Sequence, residues 1–222
     1  MAIDWFPLWL SLRVAALSTL CGLLFSLWAA YRLTFTSEAS RNWARGLLSL
    51  LLVLPPTVLG YWILVAAGNE SWLGATYLRL TGSPLLFSWQ AAVLAASLHS
   101  TPWLLRATWA ALDEVQDPYG RAALSLGASE RRTFLRICLP LAARPVLAAT
   151  ILAFARALGE FGLTLMIAGN LPGRTQTLAV AVYDAVLSSR GEVARALVLV
   201  LSAGLLLLVW LASRAWPKQA SG

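Results

Sequence analysis

Ionisable side chains are scarce in this sequence, and the most telling of them sit where water should be absent. Arg156 and Glu160 lie four residues apart within the apolar stretch Pro145 to Ala168. On a helix that spacing puts both on one face, where they can pair. Either charge left bare in hydrocarbon costs about 3 kcal/mol or more on insertion scales, so both are expected to point into a bundle. Two roles stay open for them, lining or gating a pathway and serving as a structural ion pair. Gly159 and Gly162 flank Glu160 and permit a bend or a close helix approach. Arg13 is another ion inside an apolar run, with no acid near it in sequence to name as partner. His99, beside Ser100 and Pro102, reads as a hydrogen-bonded helix residue rather than a ligand.

Catalytic and metal chemistry find no support. The single histidine and the widely separated Cys21 and Cys138 supply neither a nucleophile cluster, a zinc site nor a disulfide framework. No GxxxxGK[ST] loop occurs, so the sequence offers no nucleotide-binding motif of that kind. No catalytic residue, metal or cofactor is expected.

The elements that must position these ions are membrane helices. Of the 222 residues 59% are hydrophobic and 12% charged, about half the charged share of a soluble domain, which is near 25%. The formal charge of +7 falls between apolar runs instead of clustering with exposed aromatics, which argues against a nucleic-acid partner and for a bilayer. The fold class expected is an all-α integral membrane bundle, one transmembrane domain over residues 1–222. About 20 apolar residues cross the hydrocarbon as a helix. Five stretches qualify: Leu8 to Tyr31, Leu47 to Ala67, Leu85 to Leu105, Pro145 to Ala168 and Val193 to Ala212. Tryptophans such as Trp5, Trp28, Trp43, Trp72, Trp103, Trp109, Trp210 and Trp216 lie near their ends, as in an interfacial belt. The start of the chain carries Asp4 and no basic residue, and reads as a retained span rather than a signal peptide.

Arginines crowd the first and third loops (Arg32, Arg41, Arg45, Arg106, Arg121, Arg131, Arg132, Arg136, Arg144), and Arg214 and Lys218 follow the last span. Arg79, Arg174 and Arg190 are all that the second and fourth loops hold, with Arg195 at a span edge. Positive charge stays inside, so the expectation is a multi-pass inner-membrane protein with a periplasmic N-terminus and a cytoplasmic C-terminus.

Residues 112–140 are more than a connector. Asp117 can cap a helix that has Pro118 at its first position, and Gly127 can stop it in the left-handed conformation. Ser129 can cap a second short helix ending before Pro140. Tyr119, Ala122, Ala123 and Leu126 recur with helical period to make one apolar face. Such a face either packs beneath its own spans or docks in a partner's groove, and periodicity alone favours packing. The run Arg121-Ala122-Ala123 with Gly127, Ile137, Leu139 and Pro140 resembles the coupling loop of ABC importer permeases, with Arg121 where that pattern commonly has Glu. The resemblance implies that Ala122, Ala123 and Gly127 form a docking knob for an ATP-hydrolysing subunit, supported by Leu126.

Two further runs resemble molybdate permeases in particular. One is Leu54-Pro55-Pro56-Thr57-Val58-Leu59-Gly60-Tyr61; the other extends from Phe154 through Gly162 to Thr177. Pro55 and Pro56 each remove a backbone donor and interrupt the second span, either as a kink facing the pathway or as a packing kink. The segment Asn170 to Thr177, with Arg174 and Thr175, reads as an ordinary turn or as a place to meet a delivery protein or the oxyanion itself. The resemblance implies a homodimer around a central pathway, two cytoplasmic ATP-binding subunits beneath it and a periplasmic oxyanion-binding protein above it. Molybdate is the expected cargo, with tungstate and sulfate or thiosulfate as alternatives. A channel or secondary carrier is the rival of a different class, and its expected signature, several more ionisable residues near the midplane, is missing.

Overall fold

The computed structural model describes residues 4–215, and the chain is helical nearly throughout, with no strand among the described residues. Trp216 and Lys218, placed by sequence at the inner end of the last span, lie outside the described residues.

Helix α1 (Phe6–Thr34) starts with Pro7 in its first turn, and the Asp4 carboxylate accepts from the Phe6 N–H at 2.9 Å. Its buried face is small: Ser11, Ala15, Ser18, Gly22, Ser26 and Ala30. α1 packs chiefly on α5 (Trp89–Val115), which presents Ala91, Ala92, Ala95 and Ala96, each fully buried. Small residues let two backbones approach, which is how helices associate when lipid supplies no hydrophobic drive between them. At Gly22 a Cβ would lie 2.7 Å from the Thr101 hydroxyl, so this contact is one that only glycine allows without displacement.

The second apolar stretch is two helices. α2 (Glu38–Val53) and α3 (Pro56–Ala67) meet at 98°. The reason is local. Leu54 still donates to Leu50 at 2.9 Å, but Pro55 and Pro56 have no N–H to continue the ladder. The sequence pointed to a kink, and two consecutive prolines turn it into a right-angle corner. A short helix α4 (Trp72–Thr81), capped by Ser71 and stopped by Gly82 at φ +72°, returns the chain towards α5.

α5 extends ten residues past the expected end of the third span at Leu105. At 1.5 Å per residue its 27 residues measure about 40 Å, against about 30 Å of hydrocarbon. Helices α6 (Arg121–Ser125), α7 (Glu130–Thr133) and α8 (Leu139–Leu141) form the segment that follows it. The fourth stretch is also interrupted. α9 (Ala143–Leu158) stops before Gly159, and α10 (Gly162–Ile167) resumes after Phe161. α11 (Leu178–Leu187) and α12 (Gly191–Ala215) complete the bundle, with the Leu178 N–H tied to the Ser11 hydroxyl of α1 at 2.7 Å. Among the described residues α1 and α12 are each long and apolar enough to cross a membrane alone, and α2 with α3 pass only as a bent pair.

Candidate functional site

The segment between α5 and α9 is an elbow. Asp117 does not open a new helix as its type and neighbour suggested. The backbone stays helical from Trp89 to Ser125, widened to a π-turn at Gln116–Gly120 that accommodates Pro118 without a missing α-helical bond. Asp117 instead accepts from Arg121 at 2.7 Å, an exposed pair one helical turn apart. Arg121 is thereby engaged within its own helix.

The stop at Gly127 is as expected, with φ +86°. The Ala128 N–H bonds to the Ala123 carbonyl at 3.1 Å and the Gly127 N–H to that of Leu124 at 2.9 Å, a paired closure of the helix end that needs a left-handed residue. Ser129 then caps α7 by accepting from the Arg132 N–H at 3.4 Å. The second arm does not end before Pro140. A second π-turn, Phe134–Cys138, absorbs the proline, and the arm runs on to Leu141 before meeting α9 at 71°.

At the elbow's tip Leu126 is 89% exposed and Tyr119 58%, while Ala122 is exposed and Ala123 half-buried. The apolar face therefore does not pack beneath its own bundle, the fate that periodicity alone favoured. Leu126 is the most exposed apolar side chain of this segment.

The base of the elbow is braced. The Cys138 thiol donates to Gln116 Oε1 at 3.1 Å, joining the two arms. Burial pushes that thiol's pKa up, so the protonated, donating form is favoured. A Cβ on Gly120 would lie 2.1 Å from the same Gln116 oxygen, so glycine is what lets the carboxamide cross. Beside it Arg41 of α2 is paired with Asp113 of α5, and the Arg41 and Arg45 guanidinium carbons lie 5.6 and 5.3 Å from the Trp109 ring centre. Burial raises the Asp113 carboxyl pKa while Arg41 opposes the rise. The start of α2 is thus fastened to the helix that carries the elbow.

The two broken stretches meet at their breaks. A Cβ on Gly162, which begins α10, would touch Pro56 Cβ, which begins α3, at 3.7 Å. Further along, a Cβ on Gly60 would fall 2.6 Å from Met166 Sδ, so α3 and α10 pack closely through glycine. A cavity of about 210 Å³ lies alongside, bounded by Leu51 to Pro56, Leu59, Leu98, His99, Arg156 and Leu163. Pro55, Pro56, Arg156, Glu160 and Gly162 are therefore gathered in one place, while Gly159 forms the break itself, with its N–H still bonded to Ala155 at 3.1 Å.

Arg156 and Glu160 do not pair directly, as their spacing suggested, because the helix ends between them. His99 of α5 joins them. Its Nδ1 lies 3.2 Å from Glu160 Oε2, and its Nε2 lies 3.3 Å from Arg156 Nη2. A guanidinium has only donors, so Nε2 accepts and Nδ1–H donates to the carboxylate. The other Glu160 oxygen accepts from the Leu163 N–H at 2.8 Å and so caps α10. Glu160 is 5% exposed, and both of its carboxylate oxygens are engaged. Sequence reasoning set His99 aside; its one visible signal was that an ionisable residue stood in the middle of an apolar span. Arg13, also left without a partner, lies with its guanidinium carbon 3.9 Å from the Trp89 ring centre.

In the segment that follows α10, Thr175 is 1% exposed and accepts from the Leu171 N–H at 3.3 Å. Asn170 donates to Asp184 at 3.1 Å and accepts from Gln176 at 2.7 Å. Both side chains hold the turn together. Arg174 is exposed and makes no ion pair among the described residues.

A family model described as binding-protein-dependent transport system inner membrane component matches residues 22–217. The molybdenum transport system permease protein ModB of Escherichia coli K12 is 38% identical over 221 residues, covering 98% of this chain and 95% of that one. The protein of the same name from Haemophilus influenzae is 37% identical over 218 residues, covering 96% and 95%. That from Mycobacterium tuberculosis is 37% identical over 200 residues, covering 90% and 75%. Among solved structures, a chain of the MetNI methionine ABC transporter in an inward facing conformation superposes with a TM-score of 0.72 over 94% of this chain and 92% of its own, at 16% identity, and so shares the fold. The chain belongs to the binding-protein-dependent transport system inner membrane components, the permease subunits of ABC importers.

Proposed function

We propose that this chain is the permease of an ATP-driven molybdate importer of the cell inner membrane, working as a homodimer that alternates access to a central pathway. The observation that carries this reading is near full-length identity of 38% to a molybdenum permease. Two cytoplasmic ATP-binding subunits would grip the elbow at Ala122, Ala123, Leu126 and Gly127; the outward-standing Leu126 supports that reading, since an exposed apolar tip on a helical turn fits a groove. A periplasmic oxyanion-binding protein would dock on the opposite side, where Asn170 and Thr175 shape the turn that presents Arg174. The N-terminus would then be periplasmic and the C-terminus cytoplasmic.

Nucleotide binding closes the ATPases, the elbow moves with them, and the movement reaches the two breaks, where Pro55, Pro56, Arg156, Gly159, Glu160 and Gly162 form the gate. The chain contributes gating rather than bond chemistry. Reconstitution of the permease with its ATPase and binding protein in vesicles tests this. ATP-dependent uptake of molybdate, competed by tungstate and weakly by sulfate, is the expected outcome. Uptake by the chain alone without ATP would replace the reading with a carrier.

A further inference from the structure

Only two polar side chains, those of His99 and Arg156, face the otherwise apolar cavity beside the proline corner. With about 210 Å³ and roughly 30 Å³ per water, it has room for about seven waters, and so for a tetrahedral oxyanion that keeps part of its hydration. Arg156 meets it with most of its donors uncommitted among the described residues: the one hydrogen-bond contact it makes with them is Nη2 to His99 at 3.3 Å, and its guanidinium carbon lies 6.0 Å from the Trp103 ring centre. An arginine fork with open donors is suited to two oxygens of one oxyanion. The single bond it already makes runs through the neutral imidazole to Glu160, 3.2 Å away on the other side. From Glu160 it continues to the Leu163 N–H, the first turn of α10. The chain of contacts thus starts at a cationic group open to the cavity and ends at the backbone of the helix break.

We propose that Arg156 is a transient oxyanion contact in the translocation path, and that His99 couples its occupancy to the break at Gly159–Phe161 through Glu160. This deepens the importer reading and rests on it. An oxyanion in the fork draws the guanidinium off Nε2, which loses the donor that fixed its tautomer and orientation. The imidazole is then free to turn, and its Nδ1–H releases Glu160 from α5. Glu160 keeps its hold on Leu163, so the freed unit is α10 with the start of its turn. His99 acts here as a positioning residue, while Arg156 is the group that touches the anion.

His99 is the chain's sole histidine, which gives the idea a direct readout. The intact importer is assembled with only the permease labelled with ¹⁵N-histidine and carrying no tag, and its imidazole nitrogens are followed while sodium molybdate is added against a sodium chloride control. The expected result is a saturable shift of Nε2 with molybdate that is absent in Arg156→Gln. Uptake is measured on the same preparations. His99→Ala lowers it about tenfold, the scale of one charge-assisted hydrogen bond, and His99→Gln, which can both donate and accept, recovers part of the loss. If the wild-type importer takes up molybdate while Nε2 stays still, or shifts equally in Arg156→Gln, the proposed contact is overturned. Equal uptake by His99→Ala and wild type overturns the coupling. Failure of the wild-type assembly to move any oxyanion removes the importer reading itself, a result recognisable before any variant is made.

Discussion

The chain leaves regular helix at Gly127 and at Gly159, and the two places are built on opposite plans. At the elbow the backbone closes on itself, and its apolar tip is left uncovered: Leu126 is 89% exposed. At the break the backbone is left open, and the side chains do the closing: Glu160 is 5% exposed, with His99 on one oxygen and the Leu163 N–H on the other. The first is finished as a shape and unfinished as a surface. The second is finished as a set of contacts but has a corner of cavity beside it. A turn that keeps its shape by itself suits a handle, and a joint whose shape depends on three side chains suits a gate.

That contrast can be broken most forcefully at Glu160. In Glu160→Gln an amide has to face both the imidazole donor and the Leu163 N–H, so one charge-assisted contact is lost at about 1.5–3 kcal/mol. Transport is expected to fall more than tenfold, with a lower melting temperature of the purified complex; wild-type uptake would retire the joint as described. Gly127→Val comes next. A β-branched residue at φ +86° carries about 1–3 kcal/mol of strain, so the tip changes shape while the bundle stays folded. Continued ATP hydrolysis with lost uptake is expected, and preserved coupling would show that the tip is not the handle.

A smaller effect separates the handle from its base. Gly120→Ala pushes the Gln116 carboxamide away from Cys138, costing about 1 kcal/mol for the displaced hydrogen bond, and should raise the rate at which a maleimide labels Cys138. An unchanged rate would mean that the two arms do not need this brace. The least effect is expected at Arg13→Gln, where loss of the contact with Trp89 costs about 0.5–2 kcal/mol. Melting should shift by a few degrees with transport retained, and a transport defect without a melting shift would move Arg13 from packing into the pathway.

Much of this arrangement was legible in the residues themselves. Apolar runs set where helices lie, Gly127 marked a left-handed stop, Ser129 a cap and the proline pair an interruption, because each rests on chemistry confined to a few neighbours. What escaped was whatever depends on chain segments far apart. His99 and Arg156 are 57 residues apart, and nothing local says that α5 brings one to the other. Arg13 and Trp89 met for the same reason. The Arg156–Glu160 spacing misled because it assumed that the helix continues, and Gly159 with Phe161 ends it. Asp117 and Pro118 carry an ordinary helix-start signature, but α5 arrives already helical, and a wider turn accepts the proline at less cost than restarting.

One consequence follows from α5 alone. His99 and Val115, the residue before the π-turn, belong to the same helix, and 16 residues at 1.5 Å each set them about 24 Å apart, with Pro102 between them. A push on such a helix reaches its far end through one backbone, and Pro102, which has no N–H for the ladder, is the point along it where bending costs least. One covalent element therefore underlies both the elbow's base and the imidazole beside the break, so a displacement of either end is felt by the other through the backbone itself.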